Sequence, residues 1–328
     1  MTNRTIKWGI LGPGGIARKF AEDLQYADNA SAVAVGSRTK DNAVRFAEQF
    51  GIARAYGSYE ELVNDSEVDI IYIATPHPSH KEHIMMTLRA GKAVLCEKPF
   101  TINAAEAEEA ASYARENKLF MMEAMWTRYL PAIVQVKSWL NEGKIGDVLS
   151  LQADFGFRLP WNPAHRLLDP QLGGGALLDV GIYPVSFASF VFGCQPTTIH
   201  SIGQMGETGV DERFSLLFGY EGGRTASLNG SVRLQMRNNA LILGTKGSIF
   251  IPDFFMAKQA TLSVYGEAEQ TFTYKGPTFG YAFEANEAAR CLRAGLLESD
   301  AMSVDETVGL MRTLDEIRRQ WNFKYPFE

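Results

Sequence analysis

The chain has 328 residues, more than a single hydrophobic core normally serves, so we expect two domains. Its net charge of −6 argues against nucleic acid or an anionic membrane as a main partner, although a local basic pocket for a phosphate stays possible. Cys96, Cys194 and Cys291 show no metal-ligand spacing, and their sparse use fits a reducing, cytoplasmic compartment. The N-terminal residues lack a long apolar stretch, so no signal peptide is predicted.

The first third of the chain alternates short apolar runs with amphipathic patterns. Strands are predicted at residues 6–11, 32–35, 68–74, 93–96 and 119–122. Helices between them are indicated by apolar stripes, by capping boxes that begin at Ser58 and Ser79, and by a capping Asn103. This alternation predicts an α/β fold, a doubly wound Rossmann domain over residues 1–122 with a parallel sheet.

From residue 123 to residue 328 the pattern changes to successive strands with few helices. Strands are predicted at residues 148–157, 197–203, 214–220, 224–234, 240–243, 247–251 and 260–265, and helices at 175–192, 281–294 and 304–320. The segment 176–193 is almost wholly apolar, but it contains Asp179 and Pro184 and predicts a buried core helix. We therefore expect an α+β domain with a large, mostly antiparallel sheet that binds substrate and forms a homodimer through its outer face.

A glycine-rich turn follows the first predicted strand. It reads Gly12-Pro13-Gly14-Gly15-Ile16-Ala17, the pattern G-x-G-x-x-A. Gly12 permits a tight turn, Gly14 lets the backbone approach a pyrophosphate, and the helix that begins near Gly15 and Ile16 directs its N-terminus at the anion. Such turns also occur without a ligand, but the strand before and the helix after favour dinucleotide binding.

The end of the second predicted strand indicates the type of cofactor. NAD sites usually carry Asp or Glu there, whereas this chain has Ser37 and Arg38. A guanidinium suits the 2′-phosphate of NADP, so NADP is predicted and NAD stays possible. The alternative is that Arg38 is a solvated residue at a helix start.

Four segments together resemble the glucose–fructose oxidoreductase/inositol dehydrogenase (Gfo/Idh/MocA) family. They are the glycine turn, residues 74–80 (ATPHPSH), residues 97–99 (EKP) and residues 173–183 (GGGALLDVGIY). Residues 122–128 and 207–211 are similar to the dihydrodiol dehydrogenase and D-xylose dehydrogenase branch. Many family members carry His at the position of Tyr183, whereas that branch has Tyr.

The resemblance implies roles for individual residues. It implies that Glu97 and Lys98 lie at the nicotinamide, and that Thr75, Pro76 and His80 line the cofactor around its ribose and nicotinamide. It also implies that Asp179 and Tyr183 face the substrate.

The chemistry of alcohol oxidation agrees with these roles, because a base must take the hydroxyl proton. A free tyrosine titrates near ~10, and a lysine ammonium such as Lys98 would lower the pKa of Tyr183. Asp179 lies four residues before Tyr183, on the same helix face, and Pro184 is expected to kink that helix. The alternatives are a core tyrosine, an Asp179 that only accepts a structural hydrogen bond, and a loop ion pair of Glu97 with Lys98.

Other polar and aromatic residues are weaker candidates. Trp126 and Arg128 are predicted to line the substrate pocket, and Arg158 lies in a loop, residues 157–171, that either binds sugar hydroxyls or is plain surface. His77 and His80 are three residues apart, but the sequence offers no third ligand, so no metal site is predicted.

The leading hypothesis is an enzyme that oxidises a sugar, a polyol or a cyclic diol with NADP. One alternative is a redox-neutral, NAD-linked enzyme that processes glycosides. Another is a non-catalytic NADP sensor, which Lys98 and Tyr183 argue against. The fold hosts many specificities, so the sequence does not name the substrate.

Overall fold

The computed structural model describes residues 4–328. Residues 1–3 lie outside this range and belong to the N-terminal stretch in which no signal peptide is predicted. Two compact units are present. The first consists of residues up to Trp126 together with Pro277–Val308, and the second of Thr127–Gly276 together with Gly309–Glu328. The division therefore differs from the contiguous one expected at residue 122, because a late segment of the chain returns to the first unit.

The first unit contains a six-stranded parallel sheet in the order β3-β2-β1-β4-β5-β6. Its strands are β1 (Ile6–Leu11), β2 (Ala30–Gly36), β3 (Arg54–Tyr56), β4 (Ile70–Ile73), β5 (Ala93–Glu97) and β6 (Met121–Ala124). Its early helices are α1 (Gly15–Leu24), α2 (Lys40–Phe50), α3 (Tyr59–Val63), α4 (His80–Arg89) and α5 (Ala104–Glu116). The strand order confirms the predicted Rossmann arrangement, in which ligands bind beyond the carboxyl ends of the strands where the order reverses.

Two of the three predicted helix caps form. Ser58 accepts a hydrogen bond from the backbone N–H of Glu61, and Asn103 accepts one from Glu106. The cap predicted at Ser79 is wrong. Ser79 ends a 3₁₀ turn, His77–Ser79, with an αR backbone, so its side chain makes no capping hydrogen bond to α4.

The late segment is held to the first unit by an aspartate in α1. The buried carboxylate of Asp23 accepts hydrogen bonds from the N–H groups of Phe279, Gly280 and Ala282 at 2.9, 2.9 and 3.1 Å. These groups lie at the start of α8 (Tyr281–Ala294), where a helix leaves its first N–H groups unpaired. A contact between residues so distant in sequence is not visible in local patterns.

The second unit is built on an eight-stranded sheet in the order β14-β13-β12-β11-β7-β10-β9-β8. Its strands are β7 (Val148–Gly156), β8 (Thr198–Met205), β9 (Asp211–Gly219), β10 (Thr225–Ser231), β11 (Ala240–Gly244), β12 (Gly247–Ile251), β13 (Gln259–Val264) and β14 (Gln270–Thr273). Among these strands β7 and β10 pair in parallel, and the other pairs are antiparallel, which confirms the mostly antiparallel sheet.

The helices of this unit depart from the sequence prediction in two places. Besides α7 (Ile182–Phe192) and α9 (Val304–Gln320), which begins in the first unit, there is α6 (Pro131–Asn141), which the patterns did not indicate. The predicted helix over residues 175–192 begins as a π-helical turn, Leu177–Gly181, so the irregularity precedes Pro184. Pro184 lies in the first turn of α7, where a missing N–H is tolerated.

The apolar stretch around α7 is a core element. Among the helices of residues 4–328, Pro170–Phe192 is the one long and apolar enough to cross a membrane, with a mean hydropathy of 1.5. All of its apolar window is buried within the protein. The prediction of a buried core helix is therefore confirmed.

Candidate active site

The glycine turn of the first unit has the backbone that its sequence requires. Gly12 has φ +89°, and its N–H donates to the carbonyl of Gly36 at 3.1 Å. A methyl group on Gly12 would lie 2.8 Å from Cγ2 of Thr75, so both conformation and space demand glycine.

Gly14 and Gly15, in contrast, border open space. A Cβ on Gly14 would find its nearest neighbour 3.9 Å away, and one on Gly15 would find none within 4 Å. Both residues are exposed at the start of α1, and Ile16 follows half-buried. The packing of this unit does not require these two glycines, whereas an anion at the helix N-terminus would need the space.

Two exposed cations, Arg38 and Lys40, follow the end of β2. Ser37 is buried, with its Oγ 3.4 Å from the N–H of Thr39, and Arg38 is exposed. Burial, together with the charge of Arg38, lowers the pKa of the neighbouring His83 to about 4. Because His83 is then neutral, the positive charges available here for a phosphate are those of Arg38 and Lys40.

The loops that follow β4 and β5 are joined by a histidine. Nε2 of His80 lies 2.8 Å from the carbonyl oxygen of Thr75, and Nδ1 lies 2.9 Å from that of Pro99. His80 is fully buried, and burial lowers its pKa to about 4, so a neutral ring donates one of these two bonds. His80 therefore joins the two loops through its ring, and its predicted contact with the cofactor stays a prediction. Thr75 is half-buried and Pro76 exposed, as residues that line a ligand would be.

Lys98 is half-buried and precedes a cis peptide bond to Pro99. Glu97 before it is buried and accepts a hydrogen bond from the hydroxyl of Tyr72. A second buried acid, Glu284 of α8, lies near Glu97 and has no hydrogen-bond partner for either carboxyl oxygen among residues 4–328. Burial and the charge of Glu97 raise the pKa of Glu284 well above its usual range, because both disfavour the ionised carboxylate.

In the second unit the π-helical turn and α7 carry Asp179 and Tyr183. Both residues are buried, and each has 7% of its surface exposed to solvent. Nη1 of Arg166 lies 3.0 Å from Oδ1 of Asp179, and the Arg166 side chain is 53% exposed. Asp179 is therefore held by a cation that itself reaches solvent.

Two phenylalanines surround the ring of Tyr183. The rings of Phe155 and Phe255 stack with centroids 3.9 Å apart, and Tyr183 meets them edge-on at 5.2 and 5.9 Å. Phe155 lies in β7, and Phe255 in a 3₁₀ turn that follows β12. The phenol thus lies against an aromatic wall.

The structure separates the other predicted substrate residues. Arg128 is buried and donates to the carbonyl and the hydroxyl of Ser186 at 2.9 and 3.0 Å, so it anchors α7, and its predicted place in the pocket lining stays a prediction. Trp126 is buried in the first unit, where its ring stacks on Tyr281 at 4.8 Å. Arg158 is exposed, and its predicted role stays a prediction.

A metal site is not found in the part of the chain that the structure describes. No three His, Cys, Asp or Glu side chains of residues 4–328 come together in a way that could hold an ion. His77 and His80 have ring centroids 5.7 Å apart, and both nitrogens of His80 face backbone carbonyls.

Comparison with known proteins finds one family model within the first unit and another within the second. Residues 6–125 match the family model of oxidoreductases with an NAD-binding Rossmann fold, and residues 133–250 match the GFO/IDH/MocA C-terminal domain. The chain belongs to the Gfo/Idh/MocA oxidoreductase family. Trans-1,2-dihydrobenzene-1,2-diol dehydrogenases are 40% identical in Mus musculus, over 334 aligned positions, and 39% identical in Homo sapiens, over 330, with 98% of each chain covered.

Solved structures of the family share the fold. The 3-ketoreductase KijD10 of Actinomadura kijaniata, in complex with NADP and TDP-benzene, has a TM-score of 0.83 and 27% identity, with 96% of this chain and 98% of that chain covered. The aldose-aldose oxidoreductase of Caulobacter crescentus has a TM-score of 0.88 at 22% identity, over 96% and 97% of the two chains, which shows similarity of fold.

Sequence reasoning missed Phe155, Phe255 and Glu284, and it recognised Arg166 only as a loop residue. Phe155 is an inward position of an alternating strand and looks like any core residue. Phe255 and Glu284 have no local signal, because their neighbours are brought by distant segments. The polar residues at strand ends were found because they follow β1, β2, β4 and β5, whose carboxyl ends meet at one edge of a parallel sheet.

Proposed function

We propose that this protein oxidises trans-dihydrodiols of small rings, or cyclic sugars and polyols with a similar CH–OH group, with NADP as the hydride acceptor. The observation that carries the proposal is the similarity to dihydrodiol dehydrogenases, which extends at 40% identity over 98% of the chain. Bound NADP would supply a hydride acceptor for the carbinol carbon, and the residues of the chain would remove the hydroxyl proton.

Tyr183 is the proposed acid/base. Its phenolate oxygen takes the proton of the substrate hydroxyl as the carbon–hydrogen bond breaks, and the resulting phenol returns that proton in the reverse reaction. Asp179 and Arg166, linked at 3.0 Å, offer an acceptor and a donor to a second hydroxyl. Lys98 and Glu97, at the end of β5, are proposed to hold the reacting end of the cofactor.

The surroundings of Tyr183 favour a ring-shaped substrate. Phe155 and Phe255 add apolar aromatic surface beside Tyr183, which suits the diene part of a cyclohexadiene diol and also the apolar face of a sugar. Vicinal hydroxyl groups then meet the polar Tyr183 and Asp179. We therefore rank cyclic diols before open-chain polyols.

The assembly proposed for the second unit is a homodimer formed through the outer face of its sheet. Helices α6 and α7 pack on this sheet, yet Ile202, Leu217 and Phe250 remain 77%, 49% and 41% exposed on their strands. Burying such side chains would stabilise a dimer. Light scattering that finds only monomer at micromolar concentrations would contradict it.

The experiment that tests the function is a screen of aryl trans-dihydrodiols, aldoses and polyols that follows NADPH absorbance. Tyr183→Phe provides the specific comparison, because it retains the ring against Phe155 and Phe255. We expect the variant to fold and to bind NADP, and its rate to fall by roughly 10²–10⁴. A variant that turns over within about threefold of the parent would exclude the hydroxyl as proton carrier and leave Lys98 as the candidate.

A further inference from the structure

The helical segment that carries Asp179 and Tyr183 is held at its start by an aspartate from strand β9. Oδ2 of Asp211, the first residue of β9, accepts a hydrogen bond from the N–H of Leu177 at 2.6 Å. Asp211 is 1% exposed. The bond reaches the first residue of the π-helical turn, two residues before Asp179 and six before Tyr183.

A second contact holds the same segment from the C-terminal end of the chain. The hydroxyl of Tyr325 donates to the carbonyl of Gly174 at 2.7 Å, and Tyr325 is buried. The guanidinium of Arg318, in α9, lies 5.3 Å from the centre of the Tyr325 ring. Arg318 also donates hydrogen bonds to the carboxylate of Glu328. The same guanidinium therefore contacts both Tyr325 and Glu328.

The two glycines beside these contacts, Gly174 and Gly175, have no room for a side chain. Gly175 has φ +122°, and a Cβ there would lie 2.2 Å from Oδ1 of Asp211. A Cβ on Gly174 would lie 2.8 Å from the carbonyl oxygens of Arg166 and Asp169. The segment is thus pressed against Asp211 on one side and against the preceding loop on the other.

We propose that Asp211 and Tyr325 are positioning residues, whose hydrogen bonds to Leu177 and to Gly174, at and just before the start of the π-helical turn, set the location of Asp179 and Tyr183. The proposal rests on the function proposed above, in which these two side chains meet the substrate. Asp211 does not touch the reacting atoms and acts through the backbone.

The physical reason is the geometry of a helix start. The first N–H groups of a helix have no partner within it, so a buried helix start must find acceptors elsewhere. Without the carboxylate of Asp211, the N–H of Leu177 is left unpaired and the turn shifts to find another acceptor. A displacement of about 1 Å in a catalytic group lowers a rate by up to about 10²-fold.

Three variants of the full-length protein test the proposal. Asp211→Ala removes the acceptor, Asp211→Asn retains an acceptor oxygen of the same reach, and Tyr325→Phe removes only the second hydrogen bond. Asn103→Ala is the matched control, since it removes a comparable helix cap in the first unit, outside the segment that carries Asp179 and Tyr183. Each variant is measured for thermal stability, for NADP affinity, and for kcat and KM with the best diol.

We expect Asp211→Ala to lower kcat roughly ten- to hundredfold, with NADP affinity unchanged, because the cofactor residues lie in the first unit. Asp211→Asn should restore kcat to within about threefold, and Tyr325→Phe should have an intermediate effect. Asn103→Ala should lower the melting temperature and leave kcat unchanged. An Asp211→Ala variant with normal kcat and lowered stability would overturn the positioning role.

Hydrogen–deuterium exchange separates this proposal from the proposed function. In Asp211→Ala the amides of residues 177–183 should exchange faster than in the parent, whereas in Asn103→Ala they should not. Unchanged exchange would overturn the anchor, even in an active enzyme. If the parent oxidises none of the diols or sugars, the proposed function fails, and the exchange result still decides whether Asp211 holds the turn.

Discussion

The two glycine-rich segments of this protein use the same residue for opposite purposes. In the first unit Gly14 and Gly15 adjoin open space, and no packing of the protein requires them to lack a side chain. In the second unit Gly174 and Gly175 are pressed against backbone carbonyls and against Asp211. One segment leaves room for a ligand, and the other leaves room for the protein itself.

The difference shows what a glycine motif does and does not indicate. Both segments precede a helix and read alike as small-residue runs. Only the neighbours of the missing Cβ distinguish them, and these neighbours come from residues far away in sequence. Substitutions by alanine should therefore separate loss of a ligand from loss of the fold.

The largest effect is expected for Gly175→Ala. The new methyl group would overlap the Asp211 carboxylate and would require φ near +122°, so the variant should lose about 3 kcal/mol of unfolding free energy. Chemical denaturation of the variant and the parent measures this loss. A variant of unchanged stability would show that the segment relaxes easily, against the close contact seen here.

A smaller and more selective effect is expected for Arg38→Ala. If this guanidinium binds the 2′-phosphate, NADP should lose on the order of 1.5–3 kcal/mol of binding free energy, whereas NAD, which lacks that phosphate, should lose little. Titration of both cofactors into both proteins measures the ratio. Equal losses for NADP and NAD would contradict the assignment.

Gly14→Ala should weaken both cofactors alike. Its methyl group meets no protein atom closer than 3.9 Å, so unfolding free energy should change by less than about 0.5 kcal/mol. Overlap with a bound pyrophosphate should cost about 1–3 kcal/mol, or roughly ten- to hundredfold in affinity. A variant that binds normally would place the pyrophosphate elsewhere.

A second contrast between the units concerns buried acids. Burial raises the pKa of Asp211 to about 7, opposed by hydrogen bonds from Leu177 and other backbone N–H groups. Glu284 has no hydrogen-bond partner among the described residues, and its pKa is raised well above the usual range. Among the described residues Oδ2 of Asp211 accepts a hydrogen bond and its Oδ1 has no partner, whereas neither carboxyl oxygen of Glu284 has one.

Glu284 should therefore make the protein less stable as pH rises. Above the ordinary glutamate pKa the unfolded chain loses this proton and the folded chain keeps it, so the unfolding free energy falls by up to about 1.4 kcal/mol per pH unit until the folded pKa is reached. Glu284→Gln should remove this slope. Denaturation of both proteins between pH 5 and pH 9 isolates the difference.

The control for that slope lies one turn along α8. Glu287 is hydrogen-bonded by Arg290, which lowers its pKa, so its contribution has the opposite sign and disappears as pH falls through the lowered value. Glu287→Gln should therefore lose stability at neutral pH. Parallel pH profiles for the parent and Glu284→Gln would show that Glu284 is ionised in the folded protein.

The sequence alone determined the alternation of strands and helices, the Rossmann topology, the antiparallel second sheet and the cofactor turn. These follow from periodicity, turn residues and strand ends, which are local properties. It also singled out Asp179 and Tyr183, through a family pattern and a spacing of four residues. For these features the neighbours that matter lie within a few residues along the chain.

Only the tertiary structure decided which polar residues serve the site and which serve the fold. It placed Arg128 against Ser186, His80 between two backbone carbonyls, and Asp23 at the start of α8. It also set Asp211 against the turn that carries Asp179. The physical reason is that hydrogen-bond partners and burial are set by segments distant in sequence, and a buried polar side chain takes its role from the partner that satisfies it.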